Sequence, residues 1–127
     1  ARRDWGHAKE YVEGMWRMLQ LENADDLVLA TGETHTIREF ADMAFKELDM
    51  ELEWEGSGVD ELGIEKKTGK TLVKIDPSYY RHSEVDLLIG DPSKAQKVID
   101  WDPQVKFEEL VKLMVRADWE KVQKRGF

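Results

Sequence analysis

Leu27-Val28-Leu29-Ala30-Thr31-Gly32-Glu33-Thr34-His35-Thr36-Ile37-Arg38-Glu39 is the stretch that decides the fold class. Its first four residues are a short apolar run, which by length and residue type predicts a buried strand. Thr36, followed three residues later by Glu39, fits a capping box: hydroxyl and carboxylate each take the other residue's backbone N–H at a helix start. Residues 31–35 lie between as a loop. Strand, loop and helix in that order predict an α/β domain. The loop is a candidate ligand wall, because N–H groups at a helix N-terminus point outward. Helix capping alone already accounts for Thr36.

Upstream, Ala8, Tyr11, Val12, Met15, Trp16 and Leu19 recur at spacings of three and four, which predicts a helix over 7–21. Gly14 falls off that stripe, and residues 23–26 read as a turn. Downstream, Ile37, Phe40, Ala41, Ala44, Phe45 and Leu48 share one helix face. Leu52 and Trp54 alternate with Glu51, Glu53 and Glu55, as in a half-exposed strand. Residues 59–70 look like an irregular insertion, and 71–75 form another strand closed by Asp76-Pro77. After the short apolar run 87–90, Asp91-Pro92 reads as an N-cap with proline at the first helical position, opening a helix to about Val98. Trp101-Asp102-Pro103 breaks the chain. A last helix runs from about Phe107 to Lys124 with Phe107, Leu110, Val111, Met114, Val115, Trp119 and Val122 as its stripe, and basic residues in its final turn suit the helix dipole. No repeat or linker divides the chain. The expected fold is one small mixed α/β domain over 1–127, mostly helices with a few short strands.

The 127 residues suffice for a hydrophobic core, and the absence of cysteine excludes a disulfide scaffold or a cysteine zinc site. A net charge of −8 and a pI near 4.9 argue against a general nucleic-acid binder but leave room for a local anion site. No apolar run is long enough to cross a bilayer, no signal peptide is visible, and a cytoplasmic protein is expected. The chain starts at Ala1-Arg2-Arg3, without an initiator methionine, so a fragment or processed product is expected. Five tryptophans and five methionines must fill a core or a groove, and Trp16, Trp54, Trp101 and Trp119 are expected to pack.

The chain holds no glycine-rich phosphate turn, no Gly-x-Ser-x-Gly elbow and no histidine pair at metal-ligand spacing, so no catalytic or metal residue is assigned. His7, His35 and His82 are expected to be structural or solvent-facing. Two clusters besides loop 31–36 carry chemistry. In Arg2-Arg3-Asp4-Trp5-Gly6-His7, an arginine can grip a phosphate with two parallel hydrogen bonds and Asp4 can cap the helix that follows; the plainer account is an Arg–Asp pair at a frayed terminus. In Tyr79-Tyr80-Arg81-His82-Ser83-Glu84, Arg81 suits a phosphate, Glu84 a ribose diol, and an aromatic such as Tyr80 a base or ribose. The plainer account there is an Arg81–Glu84 salt bridge on a surface loop.

Read in order, these segments resemble the C-terminal part of extended short-chain dehydrogenases/reductases that act on nucleotide sugars. The resemblance rests on Arg3-Asp4-Trp5 with His7, Arg81-His82-Ser83-Glu84, Asp91-Pro92-Ser93-Lys94-Ala95, Asp100-Trp101-Asp102-Pro103 and Phe107-Glu108-Glu109-Leu110. Within that group, residues 2–12, 30–35 and 84–92 are most similar to the GDP-mannose 4,6-dehydratase family. The resemblance implies a single C-terminal substrate-binding domain over 1–127, with GDP-mannose as ligand. Arg3 and Arg81 would clamp the pyrophosphate, Glu84 would hold the ribose, and Tyr80 would lie beside them. In that family NADP takes a hydride from sugar C4, water leaves across C5 and C6, and the hydride returns to C6. NADP would sit in an N-terminal Rossmann domain that the chain lacks, along with the Tyr-x-x-x-Lys pair; no tyrosine here is followed by lysine four residues on. The chain alone is therefore expected to be inactive, and the full-length enzyme to be a homo-oligomer. His82 stands where the family commonly has proline, and residues 56–70 carry none of its motifs. Two alternatives remain: the substrate domain of another nucleotide-sugar epimerase or reductase, and a non-catalytic interaction module.

Overall fold

In the computed structural model, which describes residues 1–81 and 83–126, the first strand lies between two distant segments. Strand β1 (Arg2–Arg3) pairs antiparallel with β2 (His35–Thr36), Arg2 opposite Thr36 and Arg3 opposite His35. On its other side Arg2 bridges in parallel to Leu87: its N–H donates to the Asp86 carbonyl at 2.7 Å, and its own carbonyl accepts from Leu88 N–H at 3.2 Å. The amino end is thus tied down on both sides rather than frayed.

Helix α1 (Ala8–Met18) packs one face on α3 (Ser93–Ile99) and the break after it. Ala95, Ile99 and Trp101 are buried there, with Tyr11, Met18, Leu21, Leu27 and Leu29 against them. Asp100 closes α3 in the left-handed region at φ 51°, and Arg17 donates to the orphan carbonyls of Ile99 at 3.1 Å and Asp100 at 2.5 Å. The start of α3 is displaced by one position from the expectation: Pro92, not Asp91, is the boundary residue and makes no side-chain cap, while Asp91 just before it accepts from Ser93 N–H at 3.0 Å.

Two expectations fail on this side. Residues 27–30 form no strand and have no ladder partner among the described residues, so the expected buried strand is only an unpaired segment, with Val28 53% exposed and Ala30 buried. Strand formation needs a neighbouring edge, which local sequence does not supply. The α1 residues Val12, Met15, Trp16 and Leu19 form a second apolar stripe that faces solvent, Trp16 at 62% and Leu19 at 81%. Trp16 is therefore not the packing residue expected of it.

Helix α2 (Ile37–Lys46) opens on the capping box, with Thr36 Oγ1 accepting from Glu39 N–H at 3.0 Å and Glu39 Oε2 from Thr36 N–H at 2.7 Å. Phe40 turns inward to Trp5 and Phe107, while Ile37 is exposed. Helix α4 (Phe107–Arg125) buries Phe107, Leu110 and Val111. Its stripe then runs past the core: Met114 and Trp119 stay about half exposed beside Phe45 and Leu48, over an open apolar groove of about 340 Å³.

A three-stranded antiparallel sheet, β3 (Leu52–Glu55), β4 (Leu62–Glu65) and β5 (Thr71–Lys74), completes the fold. The expected irregular insertion at 59–70 in fact supplies the central strand. Gly63 explains the difference: Val73 Cβ and the Trp54 ring stand 3.0 and 3.1 Å from where its Cβ would lie, so the position under the indole must be empty and the alternation of β4 loses its marker. No helix of the described residues is long and apolar enough to cross a membrane.

Candidate functional site

Successive side chains of an extended strand leave it on opposite sides. Arg2 and Asp4 both reach loop 31–34, and Arg3 between them reaches residues 84–85. Arg2 donates to Thr34 through Nε to Oγ1 at 3.1 Å and Nη2 to the carbonyl at 2.7 Å. The Asp4 carboxylate accepts from Thr31 N–H at 3.0 and 3.1 Å, from Thr31 Oγ1 at 2.6 Å, and from Gly32 N–H at 3.0 Å. Asp4 thus does not cap α1, whose boundary residue His7 makes no side-chain cap either. It braces the loop instead, and Thr31 is buried there. Burial raises the Tyr11 phenol above its usual range, and the charges of Asp4 and Glu10 add to the shift.

Arg3 forms an ion pair with Glu84 across 81 positions of sequence. Its Nη1 also donates to the Val85 carbonyl at 2.6 Å and to the Arg2 carbonyl at 2.7 Å. Two of the expected site residues therefore meet. Their pairing replaces both plainer accounts, since Arg3 pairs with Glu84 rather than Asp4 and Glu84 with Arg3 rather than Arg81. The bridge from Arg2 to Leu87 is what lays the two side chains together. Oε2 of Glu84 accepts nothing among the described residues, which leaves one acceptor open for a hydroxyl.

Arg81 lies three positions before Glu84, exposed and without an ion pair or hydrogen bond among the described residues. Tyr80 is 46% exposed at the end of a 3₁₀ turn (Pro77–Tyr79), and its N–H donates to the Pro77 carbonyl at 3.3 Å. Tyr79 is 83% exposed. His82 lies outside the described residues.

His35 packs: its ring stacks on Phe107 at 3.8 Å and 6°. Its Nδ1 is 3.4 Å from Glu39, and its Nε2 is 3.9 Å from Glu33. Among the described residues no three histidine or carboxylate side chains gather as a metal site. The roles of Arg2, Asp4 and Thr31 as braces were not foreseen. The only signal for them is the alternation of three polar residues in one extended segment.

Residues 1–114 match a family profile described as GDP-mannose 4,6 dehydratase. The chain is 55% identical over 124 residues to the GDP-mannose 4,6 dehydratase of Drosophila melanogaster, covering 98% of this chain and 31% of the relative. It is 54% identical to that of Dictyostelium discoideum, covering 97% of this chain and 35% of the relative. With the human protein of that name it shares 51% identity, over 94% of this chain and 32% of the relative. The chain spans about a third of the length of these relatives.

Proposed function

Since the chain belongs to the GDP-mannose 4,6 dehydratase family, we propose that it is the C-terminal, substrate-binding part of such a lyase and holds the nucleotide end of GDP-mannose. The observation that carries this reading is the meeting of Arg3 and Glu84, beside a loop that presents the exposed cation Arg81, without an ion pair among the described residues. Arg3 and Arg81 take the pyrophosphate, whose oxygens the planar guanidinium fork matches. Glu84 accepts from the ribose diol, and Tyr80 lies against the base or sugar. An acidic chain can hold a dianion this way because the attraction is local and short-ranged.

NADP does not fit these residues. The amino end of α2 is closed by the Glu39 carboxylate, and Gly6 at the start of α1 is roofed by the Tyr11 ring. No described helix start carries a glycine-rich turn. We therefore assign the cofactor, the proton-transfer groups and the dehydration step to an N-terminal Rossmann domain of the longer protein, and assign this chain to binding and orienting substrate. The outward apolar stripe of α1 and the unpaired segment 27–30 support such a neighbour, because exposed apolar patches of this kind mark interfaces. The product would be GDP-4-keto-6-deoxy-mannose, made in the cytoplasm by a homo-oligomer.

Competition binding to the natural-length protein tests the proposal. GDP should displace GDP-mannose far better than UDP or dTDP. Equal displacement by the three would favour another nucleotide sugar, and no displacement by any would favour an interaction module.

A further inference from the structure

The brace on the far side of β1 has a role of its own. The Asp4 carboxylate accepts from three donors, the Thr31 N–H shared between both its oxygens, the Thr31 hydroxyl and the Gly32 N–H. Arg2 fastens the same loop at Thr34. Between those two anchors, Arg3 is the residue turned the other way, to Glu84 and the Val85 carbonyl. A strand only two residues long has few ladder bonds of its own, so its register depends on side chains that grip it from outside.

We propose that Asp4 is a positioning residue for the nucleotide site. Bound to Thr31 and Gly32, it sets the register of β1 from which Arg3 meets Glu84. The proposal rests on the reading of Arg3 and Glu84 as nucleotide ligands. Asp4 touches no ligand in it and acts through Arg3. Its charge matters as well as its shape. Asp4→Asn puts an amide N–H where the Thr31 and Gly32 donors need an acceptor, so the loop loses part of its grip.

The experiment uses the natural-length protein and has two arms. In the first, GDP affinity is measured calorimetrically for the wild type, Asp4→Asn, Arg3→Met and the double variant. Asp4→Asn should weaken GDP about tenfold, the scale of one hydrogen bond to a charged group. In the Arg3→Met background it should weaken GDP no further, because the group it positions is gone. Equal weakening in both backgrounds would overturn the proposal. Thr31→Val, which deletes a single bond to Asp4, should give a smaller loss of the same sign and guards against a variant that fails to fold.

The second arm needs no ligand. Amide exchange should rise in Asp4→Asn not only at Thr31 and Gly32 but also at Leu88, whose N–H donates to the Arg2 carbonyl across the strand. Faster exchange confined to Thr31 and Gly32 would overturn the proposal. A wild type that binds no GDP would sink the nucleotide reading, while the exchange arm would still decide whether Asp4 holds β1.

Discussion

Trp101 donates its indole N–H to the Glu10 carbonyl at 2.7 Å, from 91 positions further along the chain. That bond seats the indole against Gly14, where an added Cβ would stand 2.9 Å from both Trp101 Nε1 and Leu29 Cδ1. Gly14→Ala gains up to about 1 kcal/mol in helix propensity. It then has to displace two packed groups, at about 1–3 kcal/mol. The expected outcome is a lower urea midpoint despite the better helix former. A higher midpoint would mean that the indole yields without strain.

The capping box has a pH signature. The Thr36 backbone N–H holds the Glu39 carboxyl below the usual glutamate range, helped by the charges of Arg2 and His35. Because the folded value is the lower one, the charged form stabilises the fold above the unfolded value of about 4.3 and ceases to as pH falls through the folded value. Glu39→Gln keeps an acceptor but no charge. Its Tm should lie below that of the wild type at pH 7, and the two should converge on acidification below about pH 4. A gap that persists unchanged in acid would remove the charge from the account.

Produced by itself, the 127-residue chain should self-associate through the outward face of α1, where Val12, Met15, Trp16 and Leu19 are all more than half exposed. Sedimentation should show concentration-dependent association, relieved in a Trp16→Glu, Leu19→Glu variant. A chain that stays monomeric at every concentration would count against an interface there.

Arg81 should discriminate by charge. In the natural-length protein, Arg81→Ala should weaken GDP by about tenfold to a hundredfold and leave guanosine nearly unchanged, as expected for a charge-assisted hydrogen bond to phosphate. Arg81→Lys should restore only part of the loss. An equal loss for GDP and guanosine would take Arg81 off the phosphates.

What could be read from the sequence was what is local. Thr36 and Glu39 sit one helical turn apart, so their box is visible in four residues, and it forms as expected. Asp91, next to Pro92, marks the start of α3 to within one position. Leu27–Ala30 has the residues of a strand, but a strand is a relation between two segments, and its partner is not written in those four positions. At Gly63 the informative side chain is missing because the Trp54 ring occupies its place. In the candidate site, Arg3 and Glu84 are each conspicuous as residue types. Their meeting depends on Arg2 bridging to Leu87, which no short window shows. Asp4 has two legitimate uses near a helix start, and only the fold decides between them.

The bridge from Arg2 to Leu87 also orders events in time. Sheet β3–β4–β5 closes through short turns between near neighbours, so it is able to assemble as soon as those residues exist. The Arg3 bond to the Val85 carbonyl closes a loop of 82 positions, and such contacts are slow because the chain must give up its freedom before they form. On the ribosome, the two halves of the candidate site stay strangers until the residues around Leu88 have emerged. For that interval the side of β1 that will meet Leu87 is an unclaimed edge, while β2 can already hold the other side, and whatever waits nearby, chaperone or neighbouring domain, has first call on it.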